Sequence, residues 1–157
     1  MNPTIVLKVF NLTQLNSDIN KQLKQMKLDT PKITVGFHAT DSKYKDGTTT
    51  AEVAAYNHFG TEHIPARPFL DVGVKKIKRK INRTVGEQLE KGTDLETIMN
   101  AVGSLAVRGV QEQIDRTHNP PNSPITILRK KSSHPLIDTG HMKQSVSYQF
   151  VTKKDKQ

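Results

Sequence analysis

An α+β fold, a small and mostly antiparallel sheet flanked by helices, is what three features of the 157-residue sequence predict. Two short β-branched runs precede position 40, two long helical stripes fill the middle, and one alternating run follows position 144. That last strand is far from the first two and must return to the sheet to bury Val146, Tyr148 and Phe150. A proline-rich stretch without periodicity adds a long extended arm over 117–135. The expected organisation is one domain over 1–152 that includes this arm, then a flexible basic tail over 153–157.

The elements follow in order. Thr4-Ile5-Val6-Leu7-Lys8-Val9-Phe10 is β-branched and apolar, a strand. Leu15, Ile19, Leu23 and Met26 recur at helical spacing, which predicts a helix from Thr13 that ends before Pro31. Lys32 to Phe37 alternates as a second strand, and Ala39 to Thr50, with Asp46-Gly47 inside it, is a polar loop or hairpin tip. A short helix over Ala51 to Phe59 ends at Gly60, where a left-handed residue belongs. Val74, Ile77, Ile81, Val85 and Leu89 stripe a helix over Asp71 to Lys91. Thr93-Asp94-Leu95-Glu96 then predicts a capping box that opens the next helix from Thr93, striped through Val102 and Val110 to Ile114. Four prolines punctuate the arm, and Ser123-Pro124 caps one short helical turn through Leu128. Ser145 to Val151 alternates strictly and is the third strand.

Composition narrows the function classes. The chain has no Cys, which removes disulfides, thiol nucleophiles and cysteine-based metal centres, and it leaves redox compartment open. It contains no apolar run long enough to span a membrane. Thr4 to Phe10 is too short, and too interrupted by Lys8, for a signal-peptide core. A formal net charge of +9 points to a polyanionic neighbour, nucleic acid or an acidic protein.

The charge is concentrated. Lys75, Lys76, Lys78, Arg79, Lys80 and Arg83 crowd one helix, either as a face toward DNA or an acidic partner or as a solvated surface. No aromatic residue stands among them, which disfavours a single-strand stacking platform. His58 and His63 are not spaced as a one-face helical pair, so neither a metal nor a cofactor is expected. The chain carries no phosphate loop, nucleophile elbow or zinc-protease pair, and no catalytic residues are assigned. Asp138-Thr139-Gly140 is the local triplet of aspartic proteases, but the β-rich lobe that would support a second carboxylate is missing. Asp138 is expected to cap a turn, with Gly140 supplying the bend. In the stiff segment around Ile64, Pro65, Arg67 and Phe69, Arg67 is a candidate intermolecular contact. Phe69 is expected to be partly buried.

Several of these stretches occur together in a telling order. Tyr56-Asn57-x-Phe59-Gly60-Thr61 leads into Ile64-Pro65-Ala66-Arg67-Pro68-Phe69-Leu70. Asn119-Pro120-Pro121-Asn122-Ser123-Pro124-x-Thr126, Arg129-Lys130 and Pro135-Leu136-Ile137-Asp138-Thr139-Gly140 follow. In that order they resemble the small neck and tail-completion proteins of tailed double-stranded DNA bacteriophages. One departure is His141, where that group more often carries Arg or Lys. The resemblance covers the middle and C-terminal two-thirds of the chain. It implies a structural virion protein, not an enzyme, assembled in the bacterial host cytoplasm into a homo-oligomeric ring, commonly a hexamer, in the virion neck. Such a ring completes or terminates the tail and meets the tail tube protein and the head–tail connector, with no membrane involved. Genomic DNA passing through the ring would then lie near the Lys75 to Arg83 helix. Ile64, Pro65, Arg67, Phe69, Pro121, Ile125, Arg129 and Lys130 become the expected interface, and Gly60, Thr93, Asp138 and Gly140 the structural turns. The alternative is a basic nucleic-acid-binding protein acting outside the virion.

Overall fold

A computed structural model describes residues 5–11, 21, 32–38 and 43–151. Apart from Lys21, which is helical, the helix expected from Thr13 lies outside the described residues, as does the tail over 153–157. Strands β1 (Ile5–Asn11), β2 (Lys32–Phe37) and β3 (Ser147–Val151) form an antiparallel sheet in the order β1-β2-β3. Lys8 lies opposite Val35 on one side of β2, and Tyr148 lies opposite Val35 on the other. The architecture is therefore α+β with a small antiparallel sheet, and the C-terminal strand does return to it.

The sequence of β2 alternates, yet every residue from Ile33 to Phe37 is buried. At its end His38 sits in a relay to β3. The Thr34 hydroxyl donates to the Gln149 carbonyl at 3.3 Å and so accepts from His38 Nε2 at 2.9 Å. His38 Nδ1 is then the lone-pair nitrogen and accepts from the Ser147 hydroxyl at 2.8 Å. Burial pushes the His38 pKa down, which matches a ring bonded in its neutral form. β3 is two residues shorter than its alternation predicts, and Val146 is buried just ahead of it.

Among the described residues, five helices lie between β2 and β3. A tight hairpin, with Lys43 bridged to Thr49, leads into α1 (Thr50–Phe59). Thr49 and Glu52 form a capping box there, since the Glu52 N–H donates to Thr49 Oγ1 and the Thr49 N–H to Glu52 Oε2. α2 (Phe69–Glu90) and α3 (Leu95–Arg116) are the predicted stripes, and they pack against each other and the sheet. Phe37 of β2 meets Phe69 of α2 edge-on, with ring centroids 6.1 Å apart, beside buried Leu70, Ile81, Val102 and Val110. Phe69 is only 1% exposed, so it is a core residue and not the interface residue expected from sequence.

Two further expectations are corrected here. Thr93 does not open α3. Asp94 is the N-cap, accepting from the Thr97 N–H at 2.9 Å, while Thr93 donates its hydroxyl to Gln88 Oε1 and its N–H to the Gln88 carbonyl. A carboxylate at the positive end of a helix is the better cap, and Thr93 closes the end of α2 instead. Nor is the 117–135 segment an extended arm. It turns at Asn119-Pro120 and forms α4 (Pro124–Lys130), capped by Ser123 as expected, and Lys131 ends that helix in the left-handed region. The reason it is not extended is the next subject.

Candidate docking cleft

The turn after α1 is built on Gly60. Its φ of +79° and ψ of 170° lie in a region open essentially only to glycine. A Cβ there would sit 2.9 Å from the Ala66 nitrogen, because the 61–66 loop folds back tightly, with the Thr61 N–H donating to the Ile64 carbonyl. That fold-back delivers Arg67 to the body of the protein. Its backbone N–H donates to the Asn57 carbonyl at 2.8 Å.

The Arg67 side chain is 2% exposed and reaches no carboxylate. Nε donates to the Pro120 carbonyl at 2.8 Å and Nη1 to Asn57 Oδ1 at 3.2 Å. Nη2 donates to the Pro121 carbonyl at 3.1 Å and to Asn122 Oδ1 at 3.4 Å. Asn57 is itself anchored, since its Nδ2 donates to the Val53 carbonyl. A planar fork of donors suits this set, where the point charge of a lysine would not. Burial pulls the guanidinium pKa below its usual value, and the four oxygens compensate its lost hydration. Arg67 thus ties α1 to the 119–122 turn. It is an internal brace, not the exposed partner contact expected from sequence, and it holds down the segment expected as an arm.

Lys130 makes the second brace. From the end of α4 its Nζ donates to the His134 and Pro135 carbonyls, each at 3.2 Å. Burial pushes its pKa down, nearby Asp138 pushes it up and Arg67 pushes it down. The segment after α4 is fixed by His134. The Leu136 N–H donates to His134 Nδ1, so Nε2 carries the hydrogen and donates to the Asp115 carbonyl at the end of α3.

Between these braces lies a cleft of about 610 Å³. Ile64, Pro65, Arg67, Pro121, Lys130 and Gly140 of the expected site line it, as does Asp138. Tyr44 closes one side, its ring edge-on to His141 at 5.1 Å. Burial raises the Tyr44 pKa, and the charges of Asp138 and Asp46 raise it further. Asp138 is not a cap, because α5 (His141–Gln144) begins after Gly140 and the Thr139 hydroxyl accepts from the His141 N–H. Gly140, at φ +81°, supplies the bend as expected. Asp46 and Asp138 both line the cleft and are exposed. The Asp46 carboxyl is held below its usual range by the Thr48 N–H.

The remaining expected residues stand apart from the cleft lining. Ile125 is 64% exposed on α4, and Arg129 is exposed beside it. Lys75, Lys76, Lys78, Arg79, Lys80 and Arg83 are all exposed on α2, and spacing at 100° per residue centres them opposite the buried stripe. Lys76 donates to Gln113 Oε1, and Arg83 pairs with Glu87 at 3.7 Å, a surface pair of small energetic weight. His58 is buried 3.4 Å from Asp71 in α2, away from His63 at the cleft. Among the described residues no cluster of three or more His, Asp or Glu side chains could hold a metal, and no helix is long and apolar enough to cross a membrane.

Sequence reasoning missed Asn57, the acceptor that joins α1 to Arg67, although it stands inside the Tyr56-Asn57 motif. It also passed over exposed Tyr56, Phe59 and Leu128 as sites. Compared with family models, curated proteins and solved structures, the chain matches none of them.

Proposed function

We propose that this chain is a structural protein of the bacteriophage neck, a subunit of a ring that completes the tail and joins it to the head connector. One observation carries the reading. The motifs that resemble neck proteins are scattered over 56–70, 119–130 and 135–140, yet they converge on one cleft through Arg67 and Lys130. Such convergence is what a single shaped docking element requires. The 117–135 segment serves that element as a braced hook, set before assembly instead of ordered by it. A heterologous ring needs two different patches on each subunit, and rotation between copies decides closure. The ring, with its tail-tube and connector partners, belongs to the virion and forms in the host cytoplasm.

Negative-stain images of the purified protein, alone and mixed with tail tubes, test this. Rings, or tubes capped by the protein, are the expected result. A chain that stays monomeric and ignores tail tubes refutes the proposal.

A second reading, a basic nucleic-acid-binding protein outside the virion, is favoured by the α2 cations, which have no acidic residue among them from Lys75 to Arg83. Tight duplex binding by a monomer, with an affinity that falls steeply with salt, would favour it over the ring.

A further inference from the structure

We infer that two exposed apolar helix faces, Tyr56 with Phe59 on α1 and Ile125 with Leu128 on α4, are the two halves of one head-to-tail contact between copies of this chain. The inference rests on the ring reading and specifies its contact. Among the described residues, the exposed large apolar side chains are these four, at 46%, 64%, 64% and 78% exposure. Each pair is spaced three apart, so each forms one face of its helix.

α4 is the more telling element. A seven-residue helix is far below the length that is stable by itself in water, yet α4 buries none of its residues. Its Ser123 cap and the braces on either side hold it up as a presented surface.

Charge selects the occupant. Exposed Arg129 and Lys131 follow Leu128, whereas exposed Glu62 lies just beyond Phe59 at the end of α1. Pairing α4 with α4 would set cation against cation. Pairing α4 of one copy with α1 of the next sets opposite charges around an apolar centre, the arrangement that favours the right partner and disfavours the wrong one. Arg67 gives the pairing its geometry. One guanidinium binds Asn57, which lies between Tyr56 and Phe59, and the Pro120 and Pro121 carbonyls just ahead of α4. The two patches are therefore held in fixed relation within each subunit, which fixes the rotation from copy to copy and allows a closed ring in place of a filament.

The absence of cysteine makes the test direct. F59C and L128C, prepared separately and then mixed with a short bis-maleimide, are expected to cross-link predominantly between the two variants. The double variant should give a ladder that ends in a closed species. F59D and L128D should each raise the concentration of half-assembly by about tenfold or more. Their mixture should stop at a dimer, because only one intact contact remains. Both side chains replaced, Phe59 and Leu128, are exposed, so circular dichroism and unfolding temperature should match the wild type. Cross-links mainly of F59C to itself or L128C to itself overturn the pairing. Rings that persist in F59D and L128D overturn the pairing and leave the ring standing. Cross-linking between the variants without any wild-type ring overturns the ring and leaves the contact.

Discussion

Replacing Arg67 with Met keeps most of the aliphatic stem and removes every donor. Four hydrogen bonds disappear, to the Pro120 and Pro121 carbonyls and to the Asn57 and Asn122 side chains. At roughly 1 kcal/mol net each, the loss is about 4 kcal/mol. All four acceptors belong to residues that are at least partly exposed, so water replaces some of the bonding, and about 2–4 kcal/mol is the expected cost. For a chain of this size 1 kcal/mol moves the unfolding temperature by about 2–4 °C, which gives a drop of about 4–16 °C if the loss is global. If only the 117–135 hook detaches, the same energy appears as faster amide exchange there, by about 30- to 1000-fold, with the Ile127 N–H bonded to the Ser123 carbonyl as a reporter. Arg67→Lys should fall between Met and wild type, because one ammonium cannot reach acceptors spread around a planar fork. Thermal unfolding and hydrogen exchange, read on the same samples, decide the matter. If R67M melts at the wild-type temperature with unchanged exchange over 117–135, Arg67 is not the brace described above.

Further expectations concern the frame around the cleft. The folded-state pKa of His38 is lowered by burial, so its contribution to stability is complete above about pH 6.5, the unfolded value. It is lost as the pH falls from there through the folded value, because only the unfolded chain takes up the proton at first. Urea unfolding at stepped pH should show a shallower decline for His38→Gln than for wild type across that window; parallel curves would exclude the relay. Gly103→Ala would place a Cβ 2.3 Å from the Tyr148 ring and disturb its bond to Asn100 Oδ1, with about 1–3 kcal/mol lost in denaturant titrations. Asp94→Ala should cost about 1 kcal/mol, and Thr93→Ala distinctly less through α3; equal losses would restore Thr93 as the cap.

The parts of this protein legible from sequence are those whose cause is local or periodic. The stripes of α2 and α3, the Ser123-Pro124 cap and the glycine bend at 140 each depend on a few neighbouring residues. Competing local signals misled by one step. Thr93 and Asp94 are both cap formers, and the carboxylate wins, while Thr49-x-x-Glu52 carried a capping box inside what was expected as a loop. Arg67 lay beyond reach for a different reason. Two of its four acceptors are backbone carbonyls some fifty positions away, and no side-chain pattern marks a carbonyl that a folded chain will turn toward a cation. Without that brace, four prolines in an aperiodic stretch look like an arm.

β2 sits between β1 and β3, with Lys32 opposite Val151. During translation one edge of this strand must therefore wait until the residues through Val151 have left the ribosome. Until then its backbone donors and acceptors are open to any other nascent strand. Chains cut off before Ser147, which lack β3, should accumulate as insoluble material.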